Sequence, residues 1–289
     1  MAIWGSGYVA IKIGLANTTP VFFAAVRALS AGLFILLLNR IRTDAICHPK
    51  PKSLDWLYVF LFSLFCTAFF FWAMFTATPL TGAGLAAVLI NTQPFFIAIL
   101  ARFVLGEAFG WKKYLFICVG FIGVLMIMQP GLDDRMNGMN GAHGESRFGM
   151  LILLAASVLF SAGLVMIKPL YRRLDLYWVT AWQLVFGGTI LFALALATED
   201  IAATRWTPGF IALTVYLSIV ATSVTSLVWF RLIRFHPLGV VSAYGFLSPL
   251  FGVILSAIFL GETFPPLSVA GMALIISGVY GIGSGEKKR

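Results

Sequence analysis

Ten apolar runs divide this chain, at about residues 1–15, 20–39, 54–77, 80–105, 112–129, 147–168, 176–197, 208–233, 238–260 and 266–284. Most are close to the roughly 20 residues that an α-helix needs to cross a hydrocarbon layer about 30 Å thick. Hydrophobic residues make up 60% of the 289 and charged residues 11%, more apolar surface than one water-soluble core can hide. A bilayer leaves no backbone N–H or C=O for water to satisfy, so such runs must be helices, whereas barrel strands would alternate polar with apolar residues. The connectors are short apart from about 40–53 and 130–146, and none is large enough for a soluble domain. Function is therefore expected inside the membrane.

Charge orients the runs. With the N-terminus inside, the inner segments hold Arg40, Arg42, Lys50, Lys52, Lys112, Lys113, Lys168, Arg172, Arg173, Arg231, Arg234, Lys287, Lys288 and Arg289. The outer segments hold only Arg135, Arg147 and Arg205. This asymmetry follows the positive-inside rule and would be scrambled by miscounting one helix. It predicts a multi-pass protein of the cell inner (plasma) membrane with both termini cytoplasmic. It also accounts for the net charge of +9 without a nucleic-acid partner. Cys47, Cys66 and Cys118 suggest neither a disulfide framework nor a CxxC metal pair. The first run has no basic leader and is broken by Lys12, so it reads poorly as a signal peptide.

Sliding the chain by 155 residues lays Pro94 on Pro249, Phe96 on Phe251, Leu105-Gly106-Glu107 on Leu260-Gly261-Glu262, and Gly123 on Gly278. A shift of 156 lays Gly7, Ile11 and Lys12 on Gly163, Ile167 and Lys168, Ala25 on Ala181, and Gly32 on Gly188. Matched Pro, Gly, Glu and Lys at one offset indicate a duplicated five-helix unit. The first copy spans 1–129 and the second 147–289, with 130–146 as an external connector rich in Gly, Asn and Met. An odd helix count turns the second copy upside down, a construction that recurs in secondary transporters. The fold class expected is an all-α integral membrane protein with ten transmembrane helices.

The Trp4-Gly5-Ser6-Gly7-Tyr8-Val9-Ala10-Ile11-Lys12 start and the paired Pro-Phe/Leu-Phe … Leu-Gly-Glu-x-Phe blocks resemble the EamA family of the drug/metabolite transporter superfamily over essentially the whole chain. Within it, the chain is most similar in general character to YddG-like amino-acid exporters. The resemblance implies two inverted five-helix repeats around a central cavity open to one side at a time, and export of amino acids or other small metabolites. A translocator of lipid-like solutes is the alternative.

All eleven acidic residues fall in loops or at helix ends, leaving no carboxylate at the membrane centre for proton coupling. Downhill transport is the favoured expectation. Arg27 lies about seven residues into the second helix, roughly 10 Å deep, where it would snorkel to the interface or meet a substrate carboxylate. Lys12 and Lys168 are expected to snorkel. Pro94 and Pro249 are read as mid-helix hinges, each freeing a carbonyl one turn back. Asn91 and Gln93 precede one of them, and Tyr244 and Ser248 the other, as candidate substrate contacts. Indole needs a partner for its N–H, so the deep Trp72, Trp182 and Trp229 are expected to point inward, with Trp72 and Trp229 the candidates to line a pocket.

The repeat offset starts the first helix about nine residues before Met1, which would put Trp4, Ser6 and Tyr8 near mid-membrane with Phe160 and Ser161 as inverted counterparts. Gly5, Gly7 and Gly163 would then allow close contact or gating. The glutamates of the two Leu-Gly-Glu blocks are expected to sit at helix starts, favoured by the dipole. No cofactor motif is present. An enzyme is the rival class, but His48, His143 and His236 lie in or beside loops, no HExxH occurs, and Asp133-Asp134 has no second acidic cluster.

Overall fold

A computed structural model describes residues 1–42, 49–81, 89–107, 110–138, 143–260 and 266–284. The described residues form helices, with no strand among them. They are α1 (Ala2–Gly14), α2 (Pro20–Ile41), α3 (53–81), α4 (Gln93–Leu105), α5 (Trp111–Gly138), α6 (His143–Arg173), α7 (Leu176–Thr198), α8 (208–235), α9 (238–260) and α10 (Pro266–Ser284). Five are long and apolar enough to cross a membrane: Pro20–Ile41, Ser53–Met74, Arg147–Arg173, Leu176–Thr198 and Pro208–Phe235. The chain is thus a multi-pass membrane protein. The stretch 130–146, read from sequence as a connector, continues α5 to Gly138 and begins α6 at His143.

The helices form two compact units that cut across the sequence halves. One comprises residues 7–72 and 166–235, the other 1–6, 73–165 and 236–289.

In the first unit α2 and α7 pack antiparallel along their whole length. Val21 and Phe22 at the start of α2 meet Glu199 just beyond α7, Leu29 faces Gly188, Gly32 faces Ala181 and Val185, and Arg42 meets Asp175. The contact is reciprocal. A Cβ on Gly32 would lie 2.8 Å from Val185 Cγ2 and 3.0 Å from the Ala181 carbonyl, and one on Gly188 would lie 2.9 Å from Leu29. Ala25, Ala28, Ala31 and Ala181 complete a seam of small buried residues that lets the two backbones approach.

Flanking them, α3 packs on α7 and α8 on α2, each through a π-helical segment, Leu64–Phe69 and Tyr216–Val224. The ends of these segments, Phe69 and Val224, are 155 residues apart. The carbonyls that a π turn leaves poorly paired are met by hydroxyls in α8. Thr222 donates to the Leu217 carbonyl at 2.7 Å and Ser223 to that of Ser218 at 2.8 Å.

The second unit repeats the scheme with α5 and α10. A Cβ on Gly123 would lie 2.5 Å from the Gly271 carbonyl oxygen, and one on Gly278 would lie 2.7 Å from the Gly120 nitrogen and 2.8 Å from the Phe116 carbonyl. The pairing is again antiparallel and again reciprocal. Ile117, Val124, Phe246, Ile275 and Ile282 fill the core beside it, all 1% exposed or less.

Gly123→Ala drives a methyl into a neighbouring backbone and is expected to cost about 1–3 kcal/mol. The control is Gly209→Ala, where nothing lies within 4 Å of an added Cβ in the first turn of α8. It should leave stability unchanged or raise it by about 0.5–1 kcal/mol. Thermal unfolding of the two detergent-solubilised variants compares them directly.

Candidate functional site

Proline cannot donate to the carbonyl four residues back, and its ring crowds that carbonyl. Ahead of Pro94 the chain is helical at Leu89 and Ile90, turns at Asn91 and Thr92, and restarts as α4 at Gln93. Ahead of Pro249 α9 runs as a 3₁₀ turn, Tyr244–Phe246, before Leu247 resumes the α-helix. Both prolines therefore sit in the first turn of a restarted helix rather than in mid-helix, where the missing N–H costs nothing. The hinge positions read from sequence are helix breaks already present.

Two carbonyls beside the first break have hydrogen-bond partners. The Leu89 carbonyl accepts from the Thr92 hydroxyl at 2.5 Å, from the Thr92 N–H at 3.2 Å and from the Ser157 hydroxyl at 2.9 Å. The Ser161 hydroxyl donates to the Ser157 carbonyl at 2.7 Å, with the Gln93 carbonyl at 3.3 Å. Ser161 is wholly buried and its hydroxyl ties α6 to the break. Gln93 Nε2 is buried with no hydrogen-bond partner among the described residues. Asn91 and Phe160 are half-buried in the same unit, as are Trp4 and Ser6. Ser6 donates back to the Ile3 carbonyl of its own helix. Tyr244 is exposed, whereas Ser248, Pro249, Gly5 and Gly163 are buried. This unit thus gathers most of the candidate residues, though not as one cluster of free polar groups.

The other unit holds Arg27, Trp72 and Trp229, all half-buried, and the buried Gly7. Among the described residues an added Cβ on Gly7 would meet nothing within 4 Å. The side chains of Tyr8 and Lys12 lie outside the described residues. The Arg27 guanidinium sits 4.7 Å from the centre of the Phe71 ring, and Trp72 is 5.6 Å from Phe69. Gln183, the repeat counterpart of Arg27, donates through Nε2 to Thr67 in the π segment of α3, and its Oε1 is buried without a partner among the described residues. Trp182 packs against Trp56 and Phe186 between α3 and α7, which makes it a packing residue.

Three further placements were not legible in the sequence. Glu107 follows Gly106, the one left-handed residue among those described, with φ 68°. Its carboxylate accepts from the N–H groups of Leu238 at 3.0 Å and Gly239 at 3.4 Å, at the start of α9 behind Pro237. Glu199 does the same for α2 behind Pro20, accepting from Val21 at 2.9 Å and Phe22 at 2.8 Å. Glu262 lies outside the described residues. Lys168, expected to snorkel, is 2% exposed, because α6 continues beyond it to Arg173. Arg173 instead pairs with the buried Asp55 of α3. Among the described residues no three His, Cys, Asp or Glu side chains could hold a metal ion together.

The profile of the EamA-like transporter family matches residues 1–129 and 147–284. An uncharacterized transporter of Synechocystis is 30% identical, over 99% of this chain and 88% of its own. A probable amino-acid metabolite efflux pump of Salmonella typhimurium is 27% identical, over 97% of this chain and 91% of its own. One crystal structure shares the fold at a TM-score of 0.81 and 15% identity, covering 99% of this chain and 94% of that one.

Leaving the Gln93 amide buried without a partner costs about 1–3 kcal/mol. Gln93→Leu should therefore raise thermal stability while lowering solute transport. Unchanged transport in the stabilised variant would remove Gln93 from the candidate site.

Proposed function

Because the chain belongs to the EamA-like transporter family, we propose that it is a secondary transporter that exports small amphipathic metabolites, amino acids with aromatic or other apolar side chains foremost. The observation that carries the reading is the pair of helix breaks, at Asn91–Thr92 and at Tyr244–Phe246, each followed by a proline and placed about 155 residues apart. Discontinuous helices in equivalent positions of two repeats are where transporters expose backbone groups to substrate. The antiparallel packing of α2 on α7 and of α5 on α10 supports an inverted repeat of two five-helix halves. Exchange of conformation between such halves gives alternating access. The charge asymmetry of the loops supports an inner-membrane location with both ends cytoplasmic.

Asn91, Gln93, Tyr244 and Ser248 beside the breaks are the candidate polar contacts in one unit, with Trp4, Ser6, Phe160 and Ser161; Tyr8, Trp72 and Trp229 are the candidates read from sequence in the other, and Gly5, Gly7, Gly163, Pro94 and Pro249 are the positions proposed to allow movement. Names among the relatives point the same way, since one is a probable amino-acid metabolite efflux pump. No described carboxylate lies at the centre of a helix, which favours transport down the solute's own gradient.

Proteoliposomes loaded with a panel of amino acids test this. Efflux of phenylalanine, leucine or a similar solute is expected without an imposed pH gradient. Strict dependence on such a gradient would overturn the downhill mechanism. Failure of every amino acid to move, with movement of a fluorescent phospholipid instead, would replace the exporter reading with lipid translocation.

A further inference from the structure

We propose that Arg27 recognises a carboxylate group on the transported molecule, with Phe71 presenting its guanidinium. The inference rests on the transporter reading above and deepens it.

Arg27 lies roughly 10 Å inside the start of α2, too deep for a charge without a purpose. Leu33 and Leu37, both more than half exposed, mark the lipid-facing stripe of α2. Arg27 is about 100° round the helix from that stripe. Its side chain does not climb toward the membrane surface. By the contacts of Val21 and Phe22 with Glu199 and of Leu29 with Gly188, Arg27 is level with Ile190 of α7. Phe71, one turn beyond Thr67, which lies against Gly187, is at nearly the same height. The guanidinium therefore reaches sideways onto an aromatic face.

No carboxylate among the described residues of its unit neutralises it. Each of the four described acidic residues there is committed elsewhere. Asp55 pairs with Arg173, Asp175 with the Trp178 N–H and Arg42, Glu199 with the start of α2, and Asp200 with the Ala202 N–H. A ring face offsets only part of the cost of a buried cation, about 0.5–2 kcal/mol. A guanidinium whose central carbon lies over a ring, 4.7 Å from its centre, still has N–H groups to offer, and a carboxylate can accept two parallel N–H bonds from such a fork. Phe69 and Trp72 continue the aromatic surface along α3 for an apolar side chain. The buried Oε1 of Gln183, one turn back along α3, is left for a hydrogen-bond donor brought by the same solute.

The test measures binding apart from transport. Purified full-length protein in detergent is titrated with 3-phenylpropionate and with its uncharged carboxamide, following thermal stability, for wild type, Arg27→Gln and Arg27→Lys. Wild type should be stabilised by the acid and not by the amide. Arg27→Gln should lose that distinction with about a ten- to hundredfold weaker response to the acid. Arg27→Lys, which keeps the charge but not the fork, should retain an intermediate response and serves if the glutamine variant fails to fold. Equal stabilisation of wild type by acid and amide, or a wild-type response in either variant, overturns the assignment. Loss of all amino-acid transport by wild type with the acid preference intact would sink the exporter reading and leave the Arg27 site standing. Transport by Arg27→Gln at the wild-type KM would sink the site alone.

Discussion

Between two helices in lipid there is no hydrophobic drive to associate, because hydrocarbon tails are as apolar as leucine. What holds such helices is contact distance. In this chain that distance is set at two places, where Gly32 and Gly188 bring α2 onto α7 and where Gly123 and Gly278 bring α5 onto α10. Each glycine of a pair packs against the segment around the other. A reciprocal contact of that kind is what a two-fold relation between equivalent helices requires, since whatever one surface offers the other must accept. The compact units follow from it. Each is organised on one such pair, so the chain's two sequence halves are interleaved rather than folded side by side.

The same solvent forces the backbone accounting. Every departure from a regular α-helix exposes groups that lipid cannot satisfy, and several of the described departures are met by side chains. Thr222 and Ser223 serve the π segment of α8, Thr92, Ser157 and Ser161 serve the break before α4, and Glu107 and Glu199 serve helix starts whose own residues offer no cap. The buried serines and threonines are therefore mostly structural. Among the described residues the buried polar atoms left without a hydrogen-bond partner are an amide nitrogen on Gln93, an amide oxygen on Gln183 and the hydroxyl of Thr19, while the guanidinium of Arg27 rests on the ring of Phe71.

Much of this could be read from sequence because it rests on period and on residue size. The apolar runs mark the helices, and the glycines and prolines mark close helix contacts and helix restarts, since only small side chains permit close approach and only proline breaks the ladder. The rest depends on contacts distant in sequence. Nothing local to Leu-Gly-Glu says that Glu107 caps a helix starting 131 residues later. The π segments also escape a pattern reading, because one extra residue in a turn of a uniformly apolar helix leaves hydrophobicity unchanged. Lys168 was misplaced for a related reason, since the amphipathic end of α6 continues past an internal proline that would ordinarily close a helix.

The two halves also differ in an informative way. Positions that control backbone approach stay matched, as with Gly32 and Gly188, Gly123 and Gly278, and Pro94 and Pro249. Positions with chemistry to offer have parted. Arg27 stands opposite Gln183, Asn91 opposite Phe246, Gln93 opposite Ser248, and Trp72 opposite Leu227. A two-fold scaffold with identical side chains in both copies would bind a solute equally well in either of two opposed orientations. Arg27 and the aromatic residues beside it, Phe69, Phe71 and Trp72, all lie in the first copy, so the proposed carboxylate contact has no equivalent in the second, where Gln183 stands in place of Arg27. Close packing in lipid keeps these glycines and prolines matched between the two sequence copies, and the carboxylate contact proposed at Arg27 falls where the copies differ.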